Sequence, residues 1–137
     1  MTTVTAEHTA RIKQELRQAG VTRYGLLKGE SRHLPRIIHP DEHIHGAIYG
    51  RAKEGSIMLV ATDRRVIILD WKPLFTNTDE ITYDVVSGVK MGSQGIFTSV
   101  TLHTRIKDYA LKFVNFKCAD RFVDYIEERR LEKNNDG

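Results

Sequence analysis

SIMLVATDRRVIILDW, residues Ser56 to Trp71, is the stretch around which the rest of the chain is read. Two apolar runs, Ile57 to Ala61 and Val66 to Leu69, flank the polar residues Thr62, Asp63, Arg64 and Arg65. Each run is too short for a buried helix and rich in β-branched residues, so the stretch reads as two strands joined by a tight turn. Asp63 can accept from backbone amides two positions on, which favours a chain reversal. Both strands are apolar on consecutive rather than alternate residues. Both of their faces therefore need cover: one from a second sheet, the other from the N-terminal helices or from a neighbouring subunit.

A chain of 137 residues holds one domain with one real core. Its 40% hydrophobic and 28% charged residues are those of a globular protein, which confines expected disorder to the ends. The longest apolar run is five residues, against about 20 for a bilayer-spanning helix. The opening MTTVTAEHTARIK has neither an apolar signal core nor acid-free basic character, so the expected location is cytoplasmic. Cys118 is the sole cysteine, which excludes an intramolecular disulfide and any multi-cysteine zinc site. Basic and acidic residues number 7 and 5 before residue 44, 9 and 7 up to residue 114, and 5 and 6 thereafter. No part is a basic arm, and no nucleic-acid partner is expected.

Thr5 is placed to cap a first helix carrying Glu7 in its first turn, Ile12, Leu16 and Ala19 at helical spacing, and Gly20 as its stop. So narrow a stripe predicts a helix that must dock on the domain or on another chain. Two short helical turns follow, over residues 22–28 and 31–38, with Leu26, Leu27, Leu34, Ile37 and Ile38 as their buried side chains. After the turn at His39 to Glu42 the pattern alternates, and strands are expected at 44–52, in the central hairpin, and at 80–83, 86–91, 95–104 and 108–113. Pro73 and Asn77 are read as loop, residues 92–95 as a turn, and Tyr109, Leu111 and Phe113 as one face of the last strand. Asn115 then caps a helix whose Ala119, Phe122, Val123 and Ile126 share a face. The expected fold is mainly β (α+β): a seven-stranded antiparallel sandwich or partial barrel capped by a C-terminal helix. The parts are a helical lead-in over 1–43, the β domain with its helix over 44–132, and a disordered tail over 133–137.

The strings LVATDRRVIILD, ITYDVVSGV, GIFTSVTL and FVNFKCADRFVDYI, with Leu74 and Phe75 after the hairpin, resemble bacterial pleckstrin-homology-like (PH-like) domains of the YokE type. The shared marks are a T-D-x-R hairpin turn, an I-x-Y-D-x-I/V-S-x-V segment and a closing helix entered through an Asn-containing turn. The lead-in LPRIIHPDEHI matches too, and the resemblance runs over residues 30 to 130. Gly88 and Val85 depart from the pattern, and the helix before residue 22 lies outside it. The resemblance implies a two-sheet fold with no catalytic residues and a role in self-association or in binding proteins or membranes.

Asp63, Arg64 and Arg65 are read as a structural turn, Arg65 bonding carbonyls or a carboxylate within the fold. The resemblance implies that the loops after the first, third and sixth strands gather at one end, where eukaryotic PH domains bind inositol phosphates. Here those loops carry Arg51, Lys53, Lys72, Arg105 and Lys107 as candidate ligands of an anionic headgroup, with Trp71 as candidate interfacial anchor. Glu54, Asp70 and Asp108 offset much of that charge, so a solvated rim is the competing reading. His33, His39, His43 and His45 lack metal-ligand spacing and read as solvated turn residues, and no metal or cofactor is expected. GLLKGES has neither the spacing nor the lysine of a phosphate-binding loop, and GVKMGSQG does not match a dinucleotide fingerprint. The function expected is a noncatalytic interaction module that binds protein, including copies of itself. The alternative is peripheral binding of anionic lipid headgroups through the basic loop end.

Overall fold

The computed structural model describes residues 5–26, 28–53, 55–71 and 76–135. The helical lead-in comprises α1 (Ala6–Gln18), α2 (Arg23–Leu26), α3 (Gly29–His33) and a 3-10 turn at Leu34–Arg36. The strands are β1 (Ile44–Ala52), β2 (Gly55–Thr62), β3 (Val66–Trp71), β4 (Thr76–Ile81), β5 (Val86–Gln94), β6 (Phe97–Thr104) and β7 (Asp108–Val114), closed by α4 (Phe116–Asn135). All pairings are antiparallel, in the order β4-β3-β2-β1-β7-β6-β5, so the sheet stays open with β4 and β5 as its two edges.

Local chemistry sets the helix ends. The Thr5 side chain accepts from His8 N at 3.0 Å, and Gly20 takes a φ of 102°, which costs a residue without Cβ little. Asn115 caps α4 by accepting from the amides of Lys117 at 2.9 Å and Cys118 at 3.3 Å. Ala119, Phe122 and Ile126 are buried as expected. The helix backbone continues to Asn135, three residues into the stretch assigned to a tail.

Register shows what covers each face of the central hairpin. Ile48, Leu59, Ile68 and Asp79 lie opposite one another across β1 to β4 and so share one face. Gly46 belongs to that face by alternation, and a Cβ there would sit 3.1 Å from Phe122 Cα, so this concave face is closed at one end by α4. The opposite, convex face carries Tyr49, Met58 and Leu69 in one row and Ala47, Val60 and Ile67 in the next. Tyr49 meets Ser31 of α3 through its hydroxyl, and α3 also packs on β3 while α1 packs on β1. Met58, Val60, Ile67 and Leu69 are all fully buried. The chain's own lead-in thus seals the face for which the sequence left a neighbouring subunit open. Ile12 and Leu16 of α1 join the same core as the strands.

Three strand expectations are corrected. β4 runs over Thr76–Ile81 rather than 80–83, because Trp71↔Thr76 through Val66↔Ile81 pair through the backbone, which needs no apolar alternation in an edge strand. Tyr83 leaves the strand for a 3-10 turn and is buried. β5 extends through the glycine-containing stretch to Gln94, and the turn falls at Gly95 and Ile96. In β7, Tyr109 and Leu111 point inward, but Phe113 does not. The register shifts from Val100↔Leu111 to Thr98↔Val114, placing two residues, Lys112 and Phe113, opposite Ser99. Phe113 takes a φ of 61° within this bulge and turns outward to meet Phe97 edge-on at 5.0 Å, while Val114 fills the core.

A buried ion pair ties the lead-in to the hairpin. Arg65 grips Glu42 with both sides of its fork, Nε to Oε2 at 2.9 Å and Nη2 to Oε1 at 3.0 Å. Thr62 Oγ1 donates to the same carboxylate at 2.7 Å and His39 N at 3.1 Å. Arg65 also donates to the Ile37 carbonyl at 3.1 Å and to Glu80 of β4 at 2.6 Å. Burial opposes ionisation of Glu42, but the donors from Arg65, Thr62 and His39 outweigh it and hold its pKa at about 2, below an ordinary 4.5.

Two outcomes are expected. Leu16→Ala should lower stability by about 2–5 kcal/mol in denaturant titration, since its side chain is fully buried between lead-in and sheet. A cost under about 1 kcal/mol would show that α1 does not seal the hairpin. The lowered pKa of Glu42 stabilises the fold above pH 4.5, and that stabilisation is lost as pH falls toward 2, an effect on the order of 3 kcal/mol. Denaturant titrations from pH 7 to pH 2 should therefore give a shallower acid limb for Glu42→Gln than for the wild type, and parallel profiles would sink this account.

Candidate functional site

Every residue of the Thr62 to Arg65 turn is bonded to other parts of the fold. Thr62 Oγ1 accepts from the amides of Arg64 and Arg65, both at 3.1 Å, which closes the turn. Asp63 exchanges two bonds with His43, its N to the His43 carbonyl at 3.0 Å and its Oδ1 from His43 N at 3.1 Å. Arg64 pairs with Asp41 at 2.8 Å. From α4, Arg129 donates to the Asp63 carbonyl at 2.9 Å, and Tyr83 donates its hydroxyl to the Thr62 carbonyl.

The histidines are dispersed among such contacts. His43 Nδ1 lies 2.8 Å from Glu15 of α1, and His45 stacks on Tyr125 at 4.5 Å between ring centroids. Glu15 also takes the Ile44 amide at 2.8 Å and Arg11 at 2.9 Å; these bonds hold its pKa below the usual range although burial works against them. Among the described residues, no group of three or more His, Cys, Asp or Glu is arranged to hold a metal ion.

A concavity lies at the other end of the concave face. α4 covers β1 at Gly46, whereas a groove of about 640 Å3 opens where β1 ends at Ala52 and Lys53. Ile57, Ile68 and Tyr109 form its apolar lining. Lys53 and Lys107 stand on its rim with Asp70, Asp79 and Asp108, and Lys107 Nζ lies 4.8 Å from the centre of the Tyr109 ring. Among the described residues, two ammonium groups stand with three carboxylates at this groove.

Of the candidate basic residues among those described, Lys53 and Lys107 are brought together in this groove. Arg51 pairs with Lys112 across β1 and β7 and lines a separate cleft with Lys28, Tyr49 and Phe113. Arg105 donates to the Asp84 carbonyl at 3.2 Å. Lys72 and the Trp71 side chain lie outside the described residues. Sequence reasoning weighed Glu54, Asp70 and Asp108 as offsetting charges but missed Asp79, just before the strand it expected over 80–83; Glu54 lies outside the described residues. The signal was present: in β3, Ile68 and Asp70 share a parity, and the strand pairing brings Asp79 opposite Ile68.

No helix of the described residues is long and apolar enough to cross a membrane. A search of curated proteins finds no match. Among solved structures, the chain is similar to a DUF1696-family protein with a pleckstrin-homology domain from Shewanella loihica. The two share 15% identity over 74% of this chain and 90% of that one, with a TM-score of 0.44. A family model described as bacterial PH domain matches residues 38–128, which take in every strand and most of α4. The chain belongs to the bacterial PH domain family.

Proposed function

We propose that this chain is a noncatalytic interaction module of the YokE type, whose open-end groove receives a segment of a partner protein. The observation that carries this reading is the groove's composition: an apolar floor of Ile57, Ile68 and Tyr109 under a rim of both charge signs. A protein segment offers apolar side chains with mixed charges around them, and such a rim contributes register and selectivity more than raw affinity. An anionic headgroup at the same place would meet Asp70, Asp79 and Asp108 beside Lys53 and Lys107, which opposes its charge. Self-association is not needed to cover the convex face of the hairpin, because α1 and α3 pack there and its side chains are buried.

The test is a pull-down from the native cell followed by calorimetry with the purified partner. Reversing the rim lysines (Lys53→Glu with Lys107→Glu) or Asp79→Lys should weaken binding several-fold with the melting temperature unchanged, since all three residues are exposed. Unchanged affinity in both variants would remove the groove from the interface. Binding to anionic vesicles at low salt, lost in the double lysine variant, would instead assign the groove to lipid headgroups.

A further inference from the structure

Large apolar side chains stand in water around the turn between β5 and β6. Ile96 sits on that turn with 91% of its surface exposed, and Phe97 follows it at 51%. Phe113 near the end of β7 is 57% exposed, and Phe116, three residues along the chain, 63%. Three of the chain's five phenylalanines are thus left outside the core here. A lone exposed apolar residue is ordinary, whereas a group of them marks a contact surface.

Phe113 adds an independent observation. Its φ of 61° is left-handed backbone, which a bulky side chain adopts rarely and at a cost, and which glycine holds without that cost. The bulge at Lys112 and Phe113 instead carries a large apolar ring and turns it outward against Phe97. Packing within the fold does not call for this, because Val114 fills the core at that point.

The charges beside these rings are of one sign. Lys112 and Lys117 precede Phe113 and follow Phe116 in the chain, both exposed, and Arg51 lies opposite Lys112 across β1 and β7. Arg51 also shares a cleft with Phe113, in which the carboxylate among the described residues is the buried Glu30. No acidic residue occurs from Val86 to Lys107 or from Tyr109 to Ala119.

We infer that this end of the molecule inserts into an anionic lipid surface, with Ile96, Phe97 and Phe113 entering the acyl boundary and Arg51, Lys112 and Lys117 set against the headgroups. Shape and charge select the occupant. Ile96 protrudes from a turn, and a bilayer closes around a protruding apolar tip without needing a preformed groove. Basic side chains lay their stems along apolar surface while their charged ends stay among anionic headgroups. Two copies meeting through this patch about a two-fold axis would bring like charges together, which opposes such a contact. The contact is insertion of side chains rather than capture of a headgroup in a pocket. It is also separate from the groove at Lys53 and Lys107, because the turns before and after β6 lie at opposite ends of that strand.

Co-sedimentation of the full chain with phosphatidylcholine vesicles, with and without phosphatidylserine, tests the inference. Binding is expected on the anionic vesicles and should fall as salt rises. Ile96→Ser with Phe97→Ser, and separately Lys112→Glu with Lys117→Glu, should each weaken it by roughly tenfold or more. The melting temperature should hold in both, since these side chains are exposed. Lys53→Glu with Lys107→Glu should leave vesicle binding unchanged. A polarity-sensitive fluorophore on Ile96→Cys should shift to the blue on the vesicles and be quenched by brominated acyl chains; Cys118 is buried, which leaves one accessible thiol. No binding to anionic vesicles, binding that survives the Ile96 and Phe97 substitutions, or binding lost through Lys53 and Lys107 would each overturn the inference. So would a fluorophore shift produced without lipid, by a second copy at high concentration or by poly-glutamate.

Discussion

The carboxylate of Glu42, fully buried and clasped by the Arg65 fork, is the contact on which the arrangement of the parts depends. A buried carboxylate is tolerated only when nearly all of its lone pairs are used, and here Arg65, Thr62 and His39 use them. The geometry is restrictive because the donors come from different parts of the chain. Arg65 and Thr62 bring the hairpin turn and His39 brings the end of the lead-in, while Glu80 draws β4 to the same guanidinium. A lysine in place of Arg65 would offer one point charge where the site needs a planar fork. A second ring of contacts reinforces this end: Arg11 of α1 donates to the carbonyls of His39, Pro40 and Glu42, which fixes the reversal that leads into β1.

With the turn end of the hairpin so crowded, the remaining openings are determined by elimination. The lead-in covers the convex face, and α4 covers the concave face near Gly46. Among the described residues, openings remain at the far end of the concave face, where Lys53 and Lys107 stand, at the edge of β5 beside α4, and in the cleft at Arg51.

Much of this was legible in the residues. The capping of α1 by Thr5 and of α4 by Asn115, the bounds of β1, and the hairpin itself all follow from local chemistry and short-range spacing. The reading failed where pairing rather than side-chain pattern makes the structure. Residues 76–79 are polar yet form four of the six residues of β4, because an edge strand needs only backbone partners on one side. The glycines at 92 and 95 looked like the two ends of a turn, whereas Gly92 lies opposite Ser99 within the ladder. Phe113 broke its apparent alternation because one extra residue enters the ladder there, and a period-two pattern cannot announce a bulge.

The candidate site divides in the same way. Residue types and their order pointed to an internal acceptor for Arg65, to cover on both faces of the hairpin, and to acidic residues offsetting the charge of the basic loops. Those are consequences of solvation, which acts on each side chain wherever the chain carries it. Only the folded chain chose Glu42 as the acceptor, the lead-in as the cover, and Asp79 as the third carboxylate beside Lys53 and Lys107. Such choices depend on register and on the packing of segments distant in sequence, and a shift of one residue in a strand would send each of these side chains to the opposite face.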